Sequence, residues 1–247
     1  QVKSAVDGFS ANISTAARPQ FTQSYAQGDV DRTIFLMFSI SKLCYVTLLL
    51  LSLPLMIEVD YVLHLWLGNV VPDYTSIFVV LICSSTLISI FNPQMSYVVH
   101  ATGNMKLYQT VNSVIDVLTL PAAYVLLKMG YPPQSVFVLS LAFVFAKQVA
   151  SLFMVKRLVK FSIASYCREV ILPLLLMTVL SFLAVYSLRL LLPSGFLRLV
   201  IIVVVSSLLI LQLSYWLVLS RREKEIVSSF VKRKKKKYIK FGANENK

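Results

Sequence analysis

Four ionisable side chains, Asp7, Lys42, Asp116 and Lys147, each interrupt an otherwise apolar run. A charge at the centre of a bilayer costs about 2.5–3.5 kcal/mol on insertion scales, so each needs a reason to be there. Two acids and two bases suit two kinds of work. They can pair, Asp116 with Lys147 or Asp7 with Lys42, and fasten helices together. Alternatively they line a polar passage in which lysines meet an anion while carboxylates hold those lysines or bind a coupling ion, burial favouring the protonated acid. Beside Pro93, the residues Asn92, Gln94, Ser96 and Tyr97 form a polar strip that is either part of such a lining or an interhelical hydrogen-bonding seam. The other reactive types carry less. His64 lies among Leu63, Leu65 and Trp66, the setting of an ordinary membrane-boundary histidine. Cys44, Cys83 and Cys167 match no metal-ligand spacing and read as small packing residues.

The elements that must carry these residues follow from composition. The chain has 247 residues, 57% hydrophobic and 14% charged, and its mean hydropathy is +0.74. Soluble domains are roughly 45–50% apolar and about 25% charged, so a water-soluble globule is excluded. Six segments are long enough to cross about 30 Å of hydrocarbon: 34–57, 74–99, 107–127, 134–155, 170–192 and 196–219. The fold class is therefore an all-α, polytopic membrane helix bundle. Val2 to Ala17 reads as helix with no cap before it and no initiator Met, which predicts a truncated chain opening on a partial span. Three units are expected: a bundle over 1–160, a peripheral hairpin over 161–219 whose two spans are apolar all round, and a basic tail over 220–247. Glu58 to Asp73 is the longest internal loop, so no extramembrane catalytic domain is expected. Pro54, Pro93, Pro121 and Pro173 predict kinks, because each frees a backbone carbonyl.

The distribution of the 24 basic residues sets the orientation. With the loop after the opening helix placed in the cytoplasm, 18 of them collect on that side, including Arg18, Arg32, Lys106, Lys156 and 11 in the tail. Only Lys128, Arg189 and Arg198 fall opposite, a strong positive-inside signal that makes the carboxyl-terminal tail cytoplasmic. The run from Lys232 to Lys237 is read as a topology lock attracted to anionic lipid headgroups rather than as a nucleic-acid patch. Counting along the expected spans puts Asp7, Lys42, Asp116 and Lys147 at one level, about 12–15 Å from the cytoplasmic ends. That common depth predicts a polar cavity between helices.

An ordered set of short motifs gives a resemblance over about residues 1 to 160. It comprises Ala17-Arg18-Pro19-Gln20, Tyr25-Ala26 and Gly28-Asp29, Ser41-Lys42, Trp66-Leu67-Gly68 with Pro72 beyond it, Ala101-Thr102-Gly103-Asn104 with Lys106 and Tyr108, and Pro121 to Tyr124 ahead of Gly130. In order and spacing it resembles the carboxyl half of Wzx-type polysaccharide and O-antigen flippases of the multidrug/oligosaccharidyl-lipid/polysaccharide exporter superfamily. The resemblance implies one lobe of a two-lobed transporter of 12 to 14 helices, with the final hairpin matching the extra pair of longer members. It implies alternating-access transport, not enzymatic chemistry, of undecaprenyl-diphosphate-linked oligosaccharide repeats across the bacterial inner membrane, in lipopolysaccharide O-antigen or related polysaccharide biosynthesis. It brings no residue-level motif, no metal and no cofactor beyond a coupling proton or sodium ion. Membrane lipids, the lipid-linked oligosaccharide, a polysaccharide polymerase and a chain-length regulator are the implied partners. Substrate contacts are expected from Arg18, Lys42, Lys147, Asn92 and Gln94, and ion coupling or charge pairing from Asp7 and Asp116. Exporters of drugs or of other lipid-linked precursors in the same superfamily remain open as alternatives. So does a membrane-embedded polysaccharide polymerase, with His64 or His100 as its acid or base.

Overall fold

A computed structural model describes residues 2–68, 71–226 and 228–229; the side chains of residues 2–7, 9 and 10 lie outside the description. Among the described residues the chain is helical throughout, without strands. Six helical stretches are long and apolar enough to cross a membrane: Val30–Ile57, Thr75–Thr102, Lys106–Lys128, Gln134–Val159, Ile163–Leu191 and Phe196–Val218. These are the marks of a multi-pass membrane protein. All six expected spans are present, several with longer bounds than hydropathy gave. The fifth begins at Ile163 rather than Val170, because a helical turn and a π turn, Cys167–Ile171, precede its apolar part.

The elements run α1 (Val2–Ala26), α2 (Val30–Ile57), α3 (Val59–Leu67), α4 (Thr75–Ser89), α5 (Asn92–Thr102), α6 (Lys106–Lys128), α7 (Gln134–Val159), α8 (Ile163–Tyr166), α9 (Leu172–Leu191) and α10 (Phe196–Leu213). The opening helix does not stop near Ala17; it runs through Pro19 to Ala26. It then reverses at Gly28, whose φ of +74 is one that only glycine adopts at no steric cost. Asp29 caps α2 by accepting from the Arg32 amide at 2.9 Å. The expected loop after Glu58 contains α3, a short helix that leaves Leu65 and Trp66 exposed, as suits a headgroup boundary.

The prolines behave unequally. Pro54 and Pro121 stay inside unbroken helices, whereas Pro93 stands where the fourth and fifth helices part at Ile90 and Phe91. Pro173 follows the π turn at Cys167–Ile171. A missing N–H is absorbed by a widened turn or by a side chain reaching the exposed carbonyls, so sequence alone does not say which proline breaks its helix.

α2 is the central helix and packs against α1, α4, α5, α9 and α10. On one side α7 joins α4 and α5, with α6 packed on α7; on the other lie α9 and α10. The core gathers around Tyr166, fully buried, with edge-on contacts to Phe38, Phe91 and Phe161 at 5.2, 6.5 and 6.2 Å between ring centroids. Tyr45 stacks on Phe91 at 5.5 Å and closes the cluster.

Candidate functional site

α6 and α7 run antiparallel and bring Asp116 and Lys147 together. The Lys147 Nζ donates to both carboxylate oxygens of Asp116, at 2.9 and 2.7 Å. Asp116 lies 10 residues from Lys106 and 12 from Lys128, about 15 and 18 Å from the helix ends, hence near mid-membrane. The pair is not enclosed by this chain: 62% of the Asp116 side chain and 24% of the Lys147 side chain are accessible. Gln109 and Ser113 precede Asp116 at helical spacing and line a shallow groove of about 440 Å³ on the same helix. A polar stripe is thus left uncovered along a helix whose other exposed residues include Val117, Leu120 and Tyr124.

Lys42 has a different partner from the one expected. It is 4% exposed and donates at 3.1 Å to Glu223, which lies beyond the last span. Asp7, its expected partner, has a side chain outside the described ones. Glu223 also accepts from Ser39 Oγ at 2.6 Å and from the Ser220 amide at 2.7 Å. The Glu223 amide donates to Ser220 Oγ at 3.4 Å, completing a capping box at the start of the helical residues 221–226. Burial acts to raise the Glu223 carboxyl, but the hydrogen bonds from Ser39 and Ser220 and the Lys42 ammonium prevail and hold it below the usual carboxylate range.

The opposite end of α2 carries a second cluster of ion pairs. There Glu58, 1% exposed, accepts from Arg198 at 2.7 Å and has Arg189 at 3.7 Å, while Arg189 also lies 3.8 Å from Asp60. From Glu58 back to Lys42 is 16 residues, about 24 Å, whereas Arg198 to Val218 is 20 residues, about 30 Å. The chain after Val218 therefore folds back to reach Lys42, which lies 12 residues from Val30 and 15 from Ile57, about 18 and 22 Å from the ends of its own helix. Lys42 thus stands apart in partner from the Asp116–Lys147 pair. Counting along the spans missed this partner because it is blind to a carboxylate that returns from beyond the last span.

The polar strip near Pro93 is a seam. Gln94 is fully buried; with its amide nitrogen toward the Ile90 and Phe91 carbonyls, at 2.7 and 3.3 Å, it accepts from Ser14 Oγ at 2.9 Å. It therefore satisfies the carbonyls opened at the helix break and ties α1 to α5. Asn92 Oδ1 accepts from Tyr108 at 2.9 Å, joining α5 to α6. Arg18 is exposed and stands 5.8 Å from the Tyr97 ring, beside an open groove formed by α1 alone. The expected site residues therefore separate into one exposed mid-span pair, one buried pair between α2 and the segment after the last span, a buried amide seam and a surface arginine.

Sequence reading missed Glu223 and the Glu58 cluster. The first carried a visible signal, the Ser220-Arg221-Arg222-Glu223 capping spacing. The second carried only a shared side of the membrane. Of the cysteines, Cys44 and Cys83 are buried, but Cys167 is exposed and is not a packing residue. No group of three or more His, Cys, Asp or Glu suited to a metal ion occurs among the described residues. The fold defines the chain as a multi-pass helical membrane protein. No protein-family model, curated protein or solved structure matches it.

Proposed function

We propose that this chain is one lobe of a transporter that flips diphosphate-linked oligosaccharide repeats, carried on a polyprenyl lipid, across the bacterial inner membrane by alternating access. The observation that carries the reading is the Asp116–Lys147 pair, at mid-span and open to the outside of the chain. Facing acyl tails, two such charges cost several kcal/mol even when paired. Facing a wet cavity, closed by a second lobe, the same geometry is inexpensive and useful.

Lys147 has a third proton to offer and is more enclosed than its partner, so it is the fixed member. A diphosphate oxygen reaching the uncovered pair competes with Asp116 for the ammonium. The displaced carboxylate then accepts a proton or a sodium ion, which ties headgroup binding to an ion gradient. The motif resemblance over residues 1 to 160 supplies the substrate class.

The test is complementation in the parent cell. Loss of the gene strands lipid-linked repeats on the inner leaflet, whereas loss of a polymerase leaves single repeats on the outer one. Asp116→Asn inserts normally and abolishes gradient-dependent transport. The exchanged variant Asp116→Lys with Lys147→Asp preserves the ion pair but not transport; full activity in either protein refutes the role given to this pair.

A further inference from the structure

The strongest feature outside the α6–α7 face is a groove along α2, on the side where that helix meets α10. Phe35, Ser39, Lys42, Val46 and Leu50 line one wall at steps of three or four residues, so they share a face of α2. From Phe35 to Leu50 is 15 residues, about 22 Å. Leu211 and Val218 stand opposite, and the returning segment adds Glu223 and Ile226. The lining is mostly apolar and the volume is about 490 Å³, long and narrow enough for one hydrocarbon chain. Leu43 and Leu211, both on the lining, are exposed, so the groove opens to whatever surrounds the bundle. Between two membrane spans, that medium is lipid.

One end of the groove carries a cation. The Arg222 guanidinium lies 4.3 Å over the Phe35 ring, and its side chain is exposed. It enters no ion pair among the described residues, although Asp31 is one turn before Phe35 on α2. Glu223, the acid on the lining, is already engaged by Ser39, Lys42 and the Ser220 amide, which leaves Arg222 to meet an anion from outside. The height is right for a headgroup. α2 has 28 residues, about 42 Å, which exceeds a hydrocarbon core of about 30 Å by about 12 Å. Centred in the bilayer, the helix puts Phe35, five residues from Val30, close to the hydrocarbon boundary, and Arg222 beside it. A guanidinium stacked on an aromatic ring keeps its N–H fork for a phosphate. A cation without a counter-ion at the boundary, above an apolar trough that descends into the core, is complementary to an anionic phospholipid.

We propose that the groove between α2 and α10 holds one acyl chain of an anionic phospholipid, whose phosphate is taken by Arg222. The lipid fills the space between the central helix and the final hairpin and completes their packing. The inference does not depend on what the protein transports.

The experiment is photolabelling of the full chain in phosphatidylcholine nanodiscs doped with phosphatidylglycerol that carries a diazirine on one acyl chain. The matching phosphatidylcholine probe is the comparison, and labelled peptides are located by mass spectrometry. The phosphatidylglycerol probe marks residues 35–50 and 211–219 in preference to the other spans, and does so more strongly than the phosphatidylcholine probe. Arg222→Gln cuts that label about tenfold and leaves the phosphatidylcholine label unchanged, whereas Arg221→Gln, at its exposed neighbour, changes neither. Arg222→Lys keeps the charge and most of the label, which separates loss of the anion contact from loss of the fold. Val46→Trp, which fills the groove, removes the label of either probe there. Equal labelling of the groove by the two probes overturns the proposal, as does an Arg222→Gln protein that labels like the wild type. A groove that neither probe labels overturns it outright, and a dimer in that case makes a second copy of the chain the occupant.

Discussion

Replacing Arg198 by Met tests how the final two helices are fastened to the rest. The Arg198 guanidinium donates to Glu58 at 2.7 Å, and both partners are largely withdrawn from solvent, with 13% and 1% of their side chains accessible. Breaking a buried pair by removing one partner costs about 3–5 kcal/mol when the survivor is left alone. Glu58 is not left wholly alone, because Arg189 stands 3.7 Å away, beyond hydrogen-bonding reach but close enough to keep part of the attraction. What disappears is one charge-assisted hydrogen bond, worth about 1.5–3 kcal/mol, and some of the Coulomb term. We expect a loss of about 2–3 kcal/mol for Arg198→Met. For Arg189→Met, whose contacts are long and whose side chain is 28% accessible, we expect less than about 1 kcal/mol. Glu58→Gln should cost less than Arg198→Met, since the more accessible arginine can turn toward water. Reversible unfolding by SDS in mixed micelles, followed by fluorescence of Trp66 and Trp216, measures all three variants, and a double-mutant cycle isolates the Glu58–Arg198 coupling. Equal losses for the two arginines, or a coupling below about 0.5 kcal/mol, refute the assignment of Arg198 as the main fastening.

Three further outcomes follow. Gln94→Leu leaves the carbonyls of Ile90 and Phe91 without their side-chain donor and Ser14 with only Cys44 Sγ at 3.3 Å, and should destabilise the bundle by about 1–3 kcal/mol in the same titration. Glu223 is held below its ordinary value of 4.5, so its contribution to stability is present above that pH and lost as pH falls through the lower folded value. The stability gap between the wild type and Glu223→Gln should therefore be constant from pH 8 to about 5 and close at lower pH; a gap that widens on acidification contradicts the sign. Cys167 is exposed, so a maleimide should label it in the folded chain, and Cys167→Ser should remove that label, read by peptide mass.

Composition and the length of the apolar runs are enough to set the solvent and the number of candidate crossings. Apolar runs of span length, closed by short connections, leave a helical bundle as the arrangement that satisfies every backbone group in hydrocarbon. Sequence also made the Asp116–Lys147 contact legible, because both residues sit near the middle of neighbouring spans joined by a short turn, and antiparallel packing then brings them level. Tertiary structure alone decided the rest. Lys42 found its acid 181 residues away on a segment that folds back. Gln94 turned into a seam because the break at Pro93 left carbonyls to satisfy. Arg198 and Glu58, 140 residues apart, met only because α10 packs against α2. Hydropathy reports whether a residue can enter the bilayer, and a helical repeat reports its height along one span. Neither specifies which helix stands beside which, and for a buried charge that neighbour determines what it can do.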